Sequence, residues 1–303
     1  KVRVGEELQG TDNEAEPVNY SNELDGVPFV VGVNPVFARA ITRIAPTNQD
    51  HKGETLSTTT IHNSLRAEIY KILSECYKEP CIEFAQDLAE GRLYHELEVN
   101  LVRLGISISL DGLTISASGV ERREGEAPTG YAGGGELMIS SDRDKAVDLL
   151  QSLKEMFYPL FIGPSPSLVL PVESVYKVWD QGGNGLVSSE VRGMLMGDPA
   201  IDMLKRYRYA EMEIPAIYKD MPDHLALLLE YMALLCESET EEKQQAEFIE
   251  NHLDWLPELN RLVYSFTEQS RGSFAGQFYR TVADVTVAFV IHERETCLIR
   301  NGI

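Results

Sequence analysis

The stretch from Asp220 to Cys236 constrains the fold more than any other part of the chain. It reads Asp-Met-Pro-Asp-His, followed by twelve residues of which only Glu230 is charged. Within those twelve, large apolar side chains recur at helical spacing. They are Leu225, Leu228, Leu229, Met232 and Cys236. Such a face is stable only when other elements cover it, so we predict a buried helix over His224–Cys236 with the fold built around it.

Three polar residues and a proline stand at the start of this helix. We predict that Asp220 caps it and that Pro222 occupies its first turn, where a missing N–H costs nothing. The carboxylate of Asp223 can then reach back to the first free N–H groups. His224 would lie at the edge of the core, beside a carboxylate, in an arrangement that suits catalysis, ligand binding or plain capping.

Helical periodicity also marks most of the chain after residue 60. We predict further helices at 61–76, 142–157, 188–196, 201–209, 241–253, 256–267 and 274–293, and a helical region at 82–104 that is broken near Gly91. Residues 106–110 and 113–117 alternate instead, around Asp111-Gly112, which is typical of a small β-hairpin. We therefore predict one all-α globular domain over residues 61–303, with a hairpin-bearing insertion at about 106–140.

Residues 1–60 have a different composition, rich in Asn, Thr, Glu, Gly and Pro around an apolar island at 27–33. We predict an irregular N-terminal extension or docking arm. No stretch approaches the 18 apolar residues of a membrane span, and no secretory leader is evident. The four cysteines lack the spacing of a zinc site. These features favour a protein of the cytoplasm with no transmembrane segment.

The formal net charge of the chain is −21, from 27 Lys and Arg against 48 Asp and Glu. Phosphate binding needs a basic face, so nucleic acid is excluded as the expected partner. An acidic surface attracts cationic peptides, although the same charge also serves solubility. The composition therefore favours a cationic protein or peptide partner.

Catalysis finds little support in the motifs. Asp223 and His224 would point about 100° apart on a helix, which is a poor geometry for an acid/base pair. No Gly-x-Ser-x-Gly elbow and no His-Glu-x-x-His pair occurs, and the loop from Asp180 matches a calcium site only in part. We predict no catalytic residue, metal site or cofactor. A hydrolase using His224 with Asp223 is the less favoured alternative.

Aromatic residues gather instead around a connection rich in proline and glycine, which is typical of a peptide-binding groove. They are Phe157, Tyr158, Phe161, Tyr176 and Trp179. Four motifs then follow one another in the sequence: Tyr158-Pro-Leu-Phe-Ile-Gly-Pro164, Pro171-Val-Glu-Ser-Val-Tyr176, Pro222-Asp-His-Leu-Ala226 and His252-Leu-Asp-Trp-Leu-Pro257. In this order they resemble the TorD/DmsD family of redox-enzyme maturation chaperones, over residues 61–296 without the insertion.

The resemblance implies an all-α cytoplasmic chaperone that is not an enzyme. It would bind the twin-arginine signal peptide and the apo form of a molybdopterin-dependent oxidoreductase, and delay export until the cofactor is inserted. The peptide-binding positions of the family fall here on Pro171, Ser174, Tyr176, Pro222, Asp223 and His224, to which the aromatic cluster adds Trp179. The alternative is an accessory subunit that stays bound to a redox complex. The resemblance leaves a homodimer open.

One further expectation concerns Asp223 alone. If its carboxylate pairs with the client, Asp223→Ala should remove peptide binding with little loss of stability.

Overall fold

A computed structural model describes residues 58–114, 142–164, 167–177, 195–238 and 242–301 of the chain. Residues 1–57 of the predicted extension (1–60), most of the predicted insertion, Trp179 and residues 188–194 of the predicted helix at 188–196 lie outside these ranges. The described residues form ten α-helices: α1 (Thr58–Cys76), α2 (Ile82–Ala89), α3 (Arg92–Arg103), α4 (Asp142–Phe157), α5 (Glu173–Tyr176), α6 (Asp198–Tyr209), α7 (Leu225–Glu237), α8 (Glu242–His252), α9 (Leu256–Thr267) and α10 (Phe274–Asn301).

The predicted all-α fold is confirmed, and α7 lies at its centre. Every residue from Leu225 to Leu229 is buried, as are Met232 and Cys236 farther along. Helix α1 packs along α7, and the long helix α10 packs against α4, α8 and α9. None of the described helices is long and apolar enough to cross a membrane.

The start of α7 differs from the prediction. The helix begins at Leu225, and its N-cap is His224, whose ring Nδ1 accepts a hydrogen bond of 3.2 Å from the Ala226 N–H. Asp220 is exposed and lies outside the helix. The predicted cap was wrong because His224 is held in extended backbone by an antiparallel bridge to Val172, which delays the first helical turn.

The predicted two-residue hairpin turn is also replaced. Asp111–Leu113 forms a 3-10 turn, and residues 106–110 form no helix and have no strand partner among the described residues. Leu113 is buried, and Gly112 lies so close to α10 that an added Cβ would be 2.1 Å from the Thr281 hydroxyl oxygen. Burial against α10 therefore overrides the local hairpin signal.

Candidate functional site

The segment before α5 and the segment before α7 lie side by side. The Leu225 N–H donates to the Pro171 carbonyl at 2.8 Å, and the Glu173 N–H donates to the Asp223 carbonyl at 3.1 Å. Because buried backbone groups need partners, this pairing fixes both segments. It brings together the two motifs that the sequence placed about fifty residues apart.

The carboxylate of Asp223 is fully buried and faces the first of these segments. Its Oδ2 accepts hydrogen bonds from both the N–H, at 2.7 Å, and the hydroxyl of Ser174. The Ser174 Oγ in turn accepts from the Gly197 N–H at 3.1 Å, just before α6. Burial raises the pKa of Asp223, and the hydrogen bonds from Ser174 oppose that rise. Three chain segments thus meet at one carboxylate, a group that we call the Asp223 junction (Asp223, Ser174 and Gly197).

A buried histidine forms a second link beside the Asp223 junction. The His252 Nδ1 lies 2.8 Å from Glu173 Oε2, and its Nε2 lies 3.1 Å from Asp202 Oδ2. Both ring nitrogens donate at once only when the imidazole is doubly protonated. Burial raises the pKa of Glu173, while His252 and the Lys177 ammonium, 2.9 Å from Oε1, oppose the rise. His252 therefore ties the end of α8 to α5 and α6.

Sequence reasoning missed this link, since it used His252 only as part of a motif. The available signal was a histidine on the apolar face of α8, a few residues after Phe248 and Ile249. A polar cleft of about 400 Å³ opens beside His252, between α6 and the end of α8. Across the described part of the chain, no group of three or more His, Cys, Asp or Glu side chains is arranged to hold a metal ion.

The ring of His224 packs away from Asp223. It is 7 % exposed, and its centroid lies 4.7 Å from that of Tyr218. Burial, and to a lesser degree the charge of Lys78, lowers the pKa of His224 to about 3. The ring is therefore neutral at neutral pH, with Nδ1 accepting from Ala226. Asp223 and His224 make their hydrogen bonds to different partners, so they do not form the acid/base pair that the hydrolase alternative requires.

A pH dependence of stability follows from the buried ring. Because the folded-state pKa lies below the unfolded value of about 6.5, the unfolded chain takes up the proton and stability falls as pH drops from about 6.5 towards 3. Between pH 7.5 and 5.5 we expect His224 to lower the free energy of unfolding by about 1.4 kcal/mol.

The variant His224→Asn removes this titration and keeps an N-cap acceptor. Urea unfolding of both proteins at the two pH values gives the difference directly. An identical pH dependence in the variant would show that another group dominates.

The surface next to Tyr218 is acidic. Burial raises the pKa of the Tyr218 hydroxyl, and the charges of Glu230, Glu75 and Glu79 raise it further. These three carboxylates therefore lie near Tyr218. Lys78 bridges Glu75 and Glu230. With Lys154 beside Glu79, three carboxylates lie near two lysines, which leaves this surface one net negative charge.

Exposed apolar groups border the same surface. A π-helical turn continues α4 over Tyr158–Ile162, and it leaves Tyr158 41 % and Ile162 57 % exposed. The Tyr158 hydroxyl donates to Glu79, which also lies 3.2 Å from the Lys154 ammonium. We call this area the acidic–apolar face; it comprises Glu75, Glu79, Glu230, Tyr158 and Ile162.

The remaining predicted residues divide between core and edge. Phe157 and Phe161 are core residues, and Tyr176 is half-buried, stacked on Trp255 with ring centroids 4.6 Å apart. The structure buries five of the seven predicted site residues: Pro171, Ser174, Pro222, Asp223 and His224. These five residues lie beneath the surface and do not line it.

The part of the chain that contains these residues is similar to known proteins. Residues 133–261 match a family described as nitrate reductase delta subunit. The chain is 26 % identical over 233 residues to the chaperone protein TorD of Shewanella amazonensis. The aligned region covers 75 % of this chain and 89 % of that protein. It is 28 % identical over 165 residues to the chaperone protein TorD of Colwellia psychrerythraea, which covers 49 % of this chain and 66 % of that one. No solved structure gives a significant match.

Proposed function

We propose that this chain, which belongs to the TorD/DmsD family of redox-enzyme maturation chaperones, binds the twin-arginine signal peptide of a molybdopterin-dependent oxidoreductase. It would act in the cytoplasm on the apo form of that enzyme and delay export until the cofactor is inserted. The two TorD relatives support the chaperone role.

The observation that carries the proposal is the acidic–apolar face. A twin-arginine leader has a basic end followed by an apolar stretch. The carboxylates of Glu75, Glu79 and Glu230 suit the basic end, and the exposed side chains of Tyr158 and Ile162 suit the apolar stretch. Both kinds of group belong to the acidic–apolar face.

An estimate of affinity fits a chaperone that must release its client. Burying about 400 Å² of apolar peptide surface contributes roughly 10 kcal/mol before costs. Immobilising the peptide removes much of this, which leaves a dissociation constant of about micromolar order. Such binding is strong enough to occupy the peptide and weak enough to be reversed by folding of the client.

The buried motif residues have an indirect role in this proposal. Ser174 and Asp223 hold the segment before α7 in place, and that segment carries Tyr218 and His224 to the edge of the acidic–apolar face. Pro171 and Pro222 belong to the same paired segments. We propose that these residues shape the site, and that Tyr176 contributes at its border.

Titration calorimetry with a twin-arginine leader peptide tests the proposal. We expect binding with a dissociation constant of about micromolar order. It should weaken as salt rises, because salt screens the attraction between the peptide and the exposed carboxylate of Glu79 and, less strongly, the partly buried ones of Glu75 and Glu230. The double variant Glu75→Gln/Glu79→Gln should weaken binding about tenfold. The matched control is Glu155→Gln, an exposed glutamate of α4 outside the face. Absence of binding at sub-millimolar peptide would contradict the proposal.

A second candidate is supported by the description of the matched family, which names a subunit of nitrate reductase. A chain of this kind could remain in a finished redox complex as an accessory subunit. Purification of the client from native cells separates the two. A fixed equimolar ratio in the active enzyme supports the subunit, and loss of this chain on maturation supports the chaperone.

A further inference from the structure

A groove separate from the acidic–apolar face lies between α3 and residues 106–110. Its volume is about 450 Å³. The apolar side chains along it include Val102, which is 68 % exposed, and Ile108, which is half-buried. Large exposed apolar side chains beside a groove are typical of an interaction site. The groove is outside the residues matched by the family, 133–261.

The chain beside this groove shows the side-chain alternation of an edge strand up to Leu110, whose backbone leaves strand geometry at φ −115° and ψ 17°. Side chains alternate, with Ile106 and Leu110 buried and Ser107 and Ser109 exposed. Within the described ranges, the N–H groups of residues 107–110 have no hydrogen-bond partner, whereas the Ile106 N–H is bonded to α3. The Leu110 carbonyl accepts from the Leu113 N–H at 2.9 Å, whereas the carbonyls of residues 107–109 have no backbone partner among the described residues. A row of unpaired donors and acceptors is a template for an added strand.

The charges that line the groove are all negative. They belong to Glu98 and Asp111, and no Lys or Arg is among the described lining residues. The Tyr94 hydroxyl donates to Glu98 at 2.9 Å, and Asp111 is close enough to add to the electrostatic effect on Tyr94. The two carboxylates therefore share one end of the groove and attract a basic side chain there.

We propose that this groove binds an extended peptide segment of a partner protein by strand addition, with the backbone of residues 107–110 pairing with it. The segment has apolar side chains at alternate positions and one Lys or Arg that lies between Glu98 and Asp111. The main-chain hydrogen bonds supply affinity, while the apolar and acidic groups supply selectivity. This site is separate from the acidic–apolar face. Its proposal does not depend on the signal-peptide proposal.

The probe is a fluorescein-labelled peptide, Arg-Val-Thr-Val-Thr-Val with a blocked carboxyl end, added to the full chain. We expect saturable binding by fluorescence anisotropy, and amide hydrogen exchange at residues 107–110 slowed about tenfold or more. A copy of the peptide with every backbone amide N-methylated has no N–H donor on either edge, so it cannot pair as a strand and should not bind. A copy with Glu in place of Arg should bind about tenfold more weakly.

Two protein variants locate the site. Glu98→Gln/Asp111→Asn keeps the hydrogen-bond acceptors for Tyr94 and Ser109, and should weaken binding about tenfold. Asp148→Asn, an exposed carboxylate of α4, is the matched control and should change nothing. The variant Glu75→Gln/Glu79→Gln should also leave this binding intact, which separates it from the leader peptide.

Three results would overturn the proposal. Equal binding of the N-methylated peptide, or binding insensitive to Glu98→Gln/Asp111→Asn, would exclude strand addition in this groove. Amides 107–110 that are already protected in the free chain would mean that another part of the chain, or a second copy, occupies the groove. Size-exclusion chromatography of the free chain then distinguishes those two occupants.

Discussion

Replacing Glu293 by leucine is expected to lower the free energy of unfolding by about 3–5 kcal/mol, because it leaves a buried guanidinium without its counter-charge. The Arg66 Nε donates to Glu293 Oε2 at 2.6 Å, and both side chains are almost completely buried. Arg66 also reaches the Asn63 side chain, at 3.3 Å. The ion pair joins α1 to α10, the first and last described helices, so its loss affects the packing of the whole bundle.

Urea unfolding measures the effect, and a double variant separates its causes. Arg66→Met/Glu293→Leu removes both charges and replaces them with apolar groups of similar size. We expect it to recover most of the lost stability, since an apolar pair often substitutes for a buried ion pair without net cost. The exposed pair Arg261 and Glu258 is the matched control, and Glu258→Gln should cause little change.

A single variant as mild as the surface control would mean that water reaches Arg66. A double variant as damaging as the single one would mean that shape, and not charge, dominates at this position.

The helices were predictable from the sequence because their signals are local. The apolar repeat of α7 fixes its face without knowledge of any partner, and its predicted limits differ from the structure by one residue at each end. The same holds for α9, whose limits the spacing predicts in full. Periodicity requires only that an apolar face be buried somewhere.

The contacts of the site were not predictable, because their partners are distant in sequence. Asp223 is 49 residues from Ser174, and His252 is 79 residues from Glu173. Local reasoning gave the Asp223 carboxylate to the nearest free N–H groups, those of its own helix. Tertiary pairing supplied better donors, and His224 took over the cap.

The prediction of a hairpin turn at Asp111-Gly112 was wrong for a related reason. Its two-residue signal states a local preference, while the burial of Leu113 against α10 is a tertiary gain that no short window contains. Because no hairpin forms, residues 106–110 have no strand partner among the described residues. Our proposed site for an added peptide strand depends on this.

Replacing Asp223 by alanine is expected to lower the free energy of unfolding by about 2–4 kcal/mol, because it removes a buried acceptor of two hydrogen bonds. The N–H of Ser174 would be left buried without a partner, and the link through Gly197 to α6 would lose its anchor. This reverses the expectation from sequence that the change spares stability. That expectation holds only if the carboxylate is free to pair with the client, whereas in the structure it is buried and bonded to Ser174.

Two further variants decide how Asp223 serves peptide binding. Asp223→Asn keeps an acceptor for Ser174 and should cost less, about 1 kcal/mol. In a cycle with Ser174→Ala, the double variant should be less damaging than the sum of the singles by about 1 kcal/mol or more, because the two side chains form one unit.

Leader-peptide affinity is then measured by calorimetry well below each unfolding transition. If Asp223 acts by positioning, Asp223→Asn binds the peptide almost as well as the parent, and Asp223→Ala binds it more weakly. A large loss of affinity in Asp223→Asn at unchanged stability would instead assign the carboxylate a direct contact with the client, which requires the Asp223 junction to open on binding.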